Sequence, residues 1–423
     1  MVTAAVPIAI AFGAVMSHVL FPVLHKPDAV LAQPIAVVTA WGWPGVAAWA
    51  IYAATMIVAG TAYWLAVKRI HETPLVAILC ASVLACLAAL AFRFSLSSDV
   101  YAYAAYGALS ATHQNIYVSH TFPPLQLIDA TWTRAIGFEW PSLPACIYGP
   151  AFIALARDIV VATHFDLTRT LLALRLLEIV AFVSAAGIAA LVAPRHGRLL
   201  ATLIGLNPVV ISTVADGHYD ALVFFVIAVA AYVALRKPEL GGFLAGASAL
   251  LKATGAVATL ALAYVLRDRR FIVWGCAGIA LSIVAQLVAT HVAGGYRTTV
   301  ATDLVGWRAA AVALGIRGLF ALALAARALY NAGIGARAAA LAAAALVIWA
   351  LYPQDYPWYG VWLLPLAAFT LEQREGLVLV LLTFSSTLRY VSDAYGFAPA
   401  APWLELIALV TPLAGYLREP RPT

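Results

Sequence analysis

Long apolar runs separated by short polar connections fill the chain from end to end. About 20 apolar residues let a helix cross the hydrocarbon core of a bilayer. The pattern predicts such helices over residues 4–22, 43–67, 74–92, 168–193, 197–214, 218–235, 271–292, 316–330, 336–352, 357–371, 376–391 and 402–416. Two stretches break the rhythm. Residues 148–163 are short and open on Tyr148-Gly149-Pro150. Residues 240–266 carry Gly241, Gly242, Gly246, Lys252 and Gly255, which predicts a broken or re-entrant segment. The runs lack the alternation that a β-barrel requires. The expected fold class is an all-α polytopic integral membrane protein, with about 12 full transmembrane helices plus re-entrant or short helices.

No internal repeat, low-complexity tract or separable soluble segment interrupts the pattern. Residues 1–423 read as a single domain, with residues 1–70 an accessory N-terminal helix pair. Residues 4–22 read as a retained first helix. Val30-Leu31-Ala32 resembles a cleavage site, but no Lys or Arg precedes the apolar run, which is long for a signal segment.

Composition narrows the picture. With 64% hydrophobic and 10% charged residues, a soluble domain is excluded. The net charge of +6 resides largely in short connections: Lys68-Arg69-Ile70-His71, Arg195 to Arg198, Arg236-Lys237, Arg267 to Arg270 and Arg418 to Arg421. If these are cytoplasmic, twelve crossings leave both termini inside. The loops 93–147, 215–218, 293–315, 353–357 and 391–401 then lie outside and hold most of the polar chemistry. Arg297, Arg308 and Arg317 would also lie outside, against the charge bias, where arginines suit a lipid phosphate. No compact basic domain suggests nucleic acid as a partner. The four cysteines show no metal-ligand spacing and no disulfide framework. A divalent metal is conceivable but not indicated, and no cofactor is expected.

The most informative stretch is Ser97-Ser98-Asp99-Val100-Tyr101-Ala102-Tyr103, running on to Tyr106-Gly107 directly after an apolar run. On a helix Asp99, Tyr103 and Tyr106 share one face, which predicts an amphipathic helix at the membrane surface. Asp99 is then a candidate general base, or else an N-cap for a helix starting at Val100. The loop over 93–147 is longer than a plain connection needs. Asp216-Gly217-His218-Tyr219-Asp220 puts two carboxylates and an imidazole at a helix boundary, as a polar patch for sugar hydroxyls or as helix caps beside a satisfied histidine. Lys252, inside an apolar run, can bind phosphate, pair with an acid or snorkel. Asp355 and Trp358, in Tyr352-Pro353-Gln354-Asp355-Tyr356-Pro357-Trp358-Tyr359, suit a substrate groove, while the aromatics alone suit an interfacial belt.

Together these segments resemble the GT-C superfamily of membrane glycosyltransferases, and within it the polyprenol-phosphate-mannose-dependent α-mannosyltransferases of actinobacterial lipoglycan synthesis. The likeness rests on Ser98-Asp99-Val100-Tyr101-Ala102-Tyr103 with Gly107, on Asn115-Ile116-Tyr117, and on Tyr148-Gly149-Pro150. It continues through Asn207-Pro208 with Gly217-His218-Tyr219-Asp220, Leu251-Lys252, and Pro357-Trp358-Tyr359, and covers roughly residues 74–416. Ile116 stands where a proline is usual and Tyr219 where an asparagine is usual.

The resemblance implies a GT-C type fold, with Asp99 as general base in a large catalytic extracytoplasmic loop. The donor would be a polyprenyl-phosphate sugar, most simply mannose, and the acceptor a hydroxyl of a lipid-linked glycan or glycolipid. The anomeric centre would invert. Tyr103, Tyr106, Asn115, Tyr117, Tyr148, Asp216, His218, Asp220, Lys252, Arg297, Arg308, Asp355 and Trp358 are the expected substrate-binding residues. The expected location is a bacterial cytoplasmic membrane, multi-pass, with the site facing outside. Two other classes stay open: a transporter or lipid flippase using Asp216, His218 and Lys252 as a polar path, and a lipid-linked oligosaccharide polymerase or ligase.

Overall fold

The computed structural model describes residues 2–24, 36–37, 43–118, 120–121, 130–139, 142–193, 196–292, 359–370 and 374–388. The expected crossings 316–330, 336–352 and 402–416, and Arg297, Arg308, Arg317, Asp355 and Trp358, lie outside the described residues. The fold is helical. It begins with α1 (Ala5–Leu24), α2 (Trp43–Lys68), α3 (Leu75–Leu90), α4 (Asp99–Ala111) and α5 (Ala130–Glu139). There follow α6 (Pro150–Ala162), α7 (Leu167–Val192), α8 (Gly197–Gly205), α9 (Pro208–Ala215) and α10 (Asp220–Ala234). Then come α11 (Pro238–Ala247), α12 (Thr254–Leu266), α13 (Arg269–Val292), α14 (Gly360–Thr370) and α15 (Arg374–Ser385). Two short strand pairs pin the loops. Ala36–Val37 runs parallel to Phe94–Ser95, and His120–Thr121 antiparallel to Ser142–Leu143.

Among the described residues three helical stretches are long and apolar enough to cross a bilayer: Ala47–Lys68, Leu167–Val192 and Arg269–Thr290. The expected crossing 197–214 forms instead as α8 and α9, bent by 57°. The cause is Asn207-Pro208. A residue before proline is driven out of the helical region, and Asn207 sits at φ −68°, ψ 113°. Its carboxamide oxygen accepts from the amides of Val209 and Val210 at 3.1 and 3.2 Å, capping α9. The expected crossings 74–92 and 218–235 appear as shorter helices of 16 and 15 residues. The segment 240–266 is broken as expected: α11 passes through a 3-10 turn, Ser248–Leu250, before α12 restarts at Thr254.

Of four hydrophobic nuclei among the described residues, two are large. One gathers α1, α2, α3, α7, α8 and α9 with parts of α10, α14 and α15. The other surrounds α4 with α6, α7 and Tyr219 and Val223. The outer faces of the long helices stay apolar and exposed, as at Val180, Val284 and Leu287, which is what lipid contact requires. The basic clusters meet at helix ends. Arg198 donates to the His71 carbonyl at 3.0 Å, and Arg270 pairs with Glu239 at 3.0 Å.

The expectation of an amphipathic surface helix after Ser98 is corrected. Every residue of α4 from Val100 to Leu109 is buried. Ala102, Ala104, Ala105, Gly107 and Ala108 leave little side chain on α4, so its neighbours close in. At Gly107 a Cβ would stand 2.7 Å from the Ala156 carbonyl oxygen, so the backbones of α4 and α6 meet there directly. The tyrosines are packed inside the protein.

Candidate active site

Asp99 is the first residue of α4, and Ser98 occupies the capping position without making a side-chain cap bond. The helix therefore starts one residue earlier than an Asp99 cap would need, and the carboxylate turns sideways. Tyr103, one turn on, donates its hydroxyl to Asp99 Oδ2 at 3.5 Å. His218 Nδ1 lies 3.4 Å from the same oxygen. His218 is 2% exposed and the Asp99 side chain 25%. The acid is thus oriented from one side and accessible from another.

Tyr103 belongs to an aromatic cluster. Its ring meets Tyr148, Phe152 and Tyr219 edge-on at 5.3, 5.2 and 5.2 Å. Tyr148 meets Tyr219 at 4.8 Å, and Phe152 stacks on Tyr219 at 4.2 Å. Offset and edge-to-face arrangements suit the quadrupoles of these rings. Tyr106 joins the edge of the cluster at 5.9 Å from Tyr148 and donates to the Pro144 carbonyl at 2.9 Å. Burial pushes the phenols of Tyr103 and Tyr148 well above their ordinary value, so they remain neutral. Tyr219, the departure from the expected asparagine, is the residue that links the cluster to the next charge pair.

Asp220 opens α10, and both its oxygens are engaged. Lys252 Nζ stands 2.8 Å from Oδ2, and Trp362 Nε1 donates to Oδ1 at 3.0 Å. The Lys252 ammonium also lies over the rings of Tyr219 and Tyr359, at 4.8 and 5.2 Å, a cation–π arrangement. Of the readings open for Lys252, pairing with an acid is the one realised. The break between α11 and α12 places it there, and Tyr148-Gly149-Pro150 docks on the same break. Gly149 donates its amide to the Leu251 carbonyl at 2.9 Å. A Cβ on Gly149 would fall 2.0 Å from the Leu250 oxygen, so only glycine permits the approach.

The second carboxylate of the Asp216-to-Asp220 segment goes elsewhere. Asp216 is the C-terminal cap residue of α9. Burial lifts its pKa to about 6, while Arg175, His218, Ser95 and the Leu96 amide pull the other way. Arg175 donates Nε to the Ala215 carbonyl. Glu178, on the same helix, accepts from the Leu222 amide at 3.0 Å and so caps α10 in place of Asp220. Sequence reading missed Arg175 and Glu178. Their signal was present: two charges three apart, on one helical face, inside the apolar run 168–193.

Asn115 and Tyr117 stand beside the aromatic cluster, Tyr117 within its buried core together with Tyr103, Tyr106 and Tyr219. They lie past the far end of α4, where the Asn115 side-chain oxygen accepts from the Tyr117 amide at 2.9 Å and the Ile116 carbonyl from the Cys146 amide at 2.8 Å. There they line an open groove of about 550 Å³ shared with α6 and Ala289 of α13. Among the described residues no cluster of three His, Cys, Asp or Glu could hold a metal ion.

A mannosyltransferase family model, described as "Alpha-(1->6)-mannopyranosyltransferase, N-terminal domain", matches residues 3–268, more than half of the chain. The chain belongs to this family. The match takes in the first helix pair as well as every residue of the Asp99, His218 and Lys252 cluster except Tyr359 and Trp362. A Corynebacterium glutamicum relative, "Alpha-(1->6)-mannopyranosyltransferase B", is 26% identical over 341 residues, covering 64% of this chain and 55% of the relative. The chain thus spans about half the length of the curated relative it matches. No solved structure matches it.

Proposed function

We propose that the protein is an inverting mannosyltransferase. It moves mannose from a polyprenyl-phosphate donor to a hydroxyl of a lipid-linked glycan or glycolipid at the outer face of a bacterial cytoplasmic membrane. The observation that carries this reading is Asp99: a part-exposed carboxylate, steadied by Tyr103 and His218, at the head of a buried helix in a chain of this family.

Asp99 takes the proton of the acceptor hydroxyl as that oxygen attacks the anomeric carbon. The new bond is between acceptor oxygen and anomeric carbon. The bond that breaks joins that carbon to the donor phosphate oxygen, which leaves with the electron pair. Attack opposite the leaving group inverts the centre and needs no covalent intermediate, unlike the two-carboxylate retaining scheme. Negative charge grows on the departing lipid phosphate, and Lys252 is the described cation that a small shift away from Asp220 would bring to bear on it. Arg297 and Arg308 remain proposed partners for the same phosphate. Tyr148, the part-exposed ring of the cluster, offers a ring edge and a neutral hydroxyl to a sugar.

The test uses purified protein in lipid nanodiscs with radiolabelled polyprenyl-phosphate mannose and an alkyl α-mannoside. The expected result is a (1→6)-linked product whose anomeric configuration is opposite to the donor's. Transfer from a nucleotide sugar instead, or retention of configuration, would sink the proposal.

A further inference from the structure

We infer that the groove beyond the C-terminal end of α4 is a second carbohydrate subsite, which holds acceptor sugar units remote from the reacting hydroxyl. The inference rests on the proposed transferase reading and extends it to the acceptor. The groove runs along one face of α6, past Pro150, Ile153, Ala154 and Arg157. These residues recur at the 3- and 4-residue spacing of a single helical face. Its near end, Pro150, lies two residues after Tyr148 of the aromatic cluster. Its far end is flanked by Ser110, eleven residues beyond Asp99 on α4, which puts it about 16 Å from the acid along the helix axis. One sugar ring cannot bridge that distance, but an oligosaccharide can.

The lining selects the ligand. One wall is polar, made by Ser110, His113, Gln114 and Asn115; the other is apolar, made by Ile153, Ala154 and Ala289. A pyranose has the same two characters, with hydroxyls at its rim and C–H groups on its faces. An isoprenoid chain would strip water from the polar wall without replacing its hydrogen bonds. A phosphate would look for cations, but the Arg157 guanidinium is already held by Asp158 through Nε and Nη2 at 2.9 and 2.8 Å. A volume of about 550 Å³ is in the usual range for small-ligand sites.

A second observation concerns His113. The helix ends with the His113 amide donating to Ser110 and the Gln114 amide to Leu109, the bonding of a Schellman motif, in which the residue past the cap is left-handed and normally glycine. Here that residue is histidine, at φ +57°. Glycine would form this turn with less strain, yet the turn presents an imidazole to the groove.

The experiment compares a monosaccharide acceptor with an α-(1→6)-linked mannotetraose, both as alkyl glycosides, on wild-type protein, Ala154→Phe and His113→Gly. Ala154→Phe fills the groove. The ratio of kcat/KM for the tetrasaccharide over that for the monosaccharide is expected to fall about tenfold, the effect of losing a few sugar contacts. His113→Gly is expected to lower the same ratio while raising the melting temperature, an opposition that a purely structural residue does not give. An unchanged ratio in both variants, with folding intact, overturns the subsite, as does an effect on donor KM alone. If wild-type protein transfers to neither acceptor, the proposed activity fails by itself. Tetrasaccharide binding to Asp99→Asn protein then decides the groove: binding abolished by Ala154→Phe supports it, and binding indifferent to Ala154→Phe, or absent, overturns it.

Discussion

Asp99 and Asp220 each open a helix, each is brought against a cation-capable side chain from another part of the chain, and each lies beside the same tyrosine cluster. Their surroundings differ. Asp220 is 2% exposed and has an ammonium at 2.8 Å on one oxygen and an indole N–H at 3.0 Å on the other. Asp99 is 25% exposed, and its described side-chain neighbours stand off at 3.4 and 3.5 Å, on a single oxygen. A carboxylate with both oxygens engaged must lose a partner before a substrate can reach it. A carboxylate held loosely from one side can accept a proton. The difference lies in saturation and access and not in helix position.

The largest expected effect separates the two directly. Asp99→Asn keeps the shape and the Tyr103 contact but removes the proposed base, so kcat is expected to fall about 10²- to 10⁴-fold with little change in melting temperature. A comparable loss of melting temperature would erase the distinction from Asp220. Lys252→Met is the converse experiment. It strands a buried carboxylate, which costs about 3–5 kcal/mol of stability, measured by thermal or denaturant unfolding in detergent. The double variant Asp220→Asn with Lys252→Met is expected to recover part of that stability; no recovery would show that the pair is not what holds the segment. Tyr103→Phe tests how firmly Asp99 is steadied. Its loss is that of one long hydrogen bond, about 1 kcal/mol, seen as a severalfold fall in kcat. A last effect concerns Asp216. Its pKa is raised from 3.8 to about 6, so the folded state favours the protonated form. That contribution is fully present below pH 3.8 and is lost as pH rises through about 6. The melting temperature of Asp216→Asn relative to wild type should therefore climb across this window, and a flat difference would contradict the burial of the carboxylate.

Much of this was legible in the sequence, unevenly. The break around Lys252 and the helix start at Pro150 follow from local rules of proline and glycine, and they form where the rules put them; the bend at Asn207-Pro208 obeys the same rules, although the apolar run 197–214 predicts a single crossing. The pairing of Asp99 with His218 was not legible, because 119 positions separate the two and no local pattern encodes the contact. The resemblance to a known family gathered those residues into one list, yet it could not say that the segment of Asn115 and Tyr117 folds back onto Cys146 after α4 ends. The surface-helix expectation failed for a physical reason. Tyrosine hydroxyls at one helical face look amphipathic, but they can also be satisfied indoors, as Tyr106 is by Pro144, and the alanines between them then serve as packing surface. Arg175 and Glu178 went unread because charges inside a membrane run draw attention only when they stand near a recognised motif.

The docking of Gly149 on the broken segment has a consequence for how this protein tolerates change. The contact is made by backbone on both sides, amide to carbonyl. Any residue can present the carbonyls at 250 and 251, so those positions are free to drift as far as this contact is concerned. Only one residue can stand at 149. The junction is therefore one-sided in its demands. A substitution library across it should return many survivors from one strand of the contact and a single letter from the other.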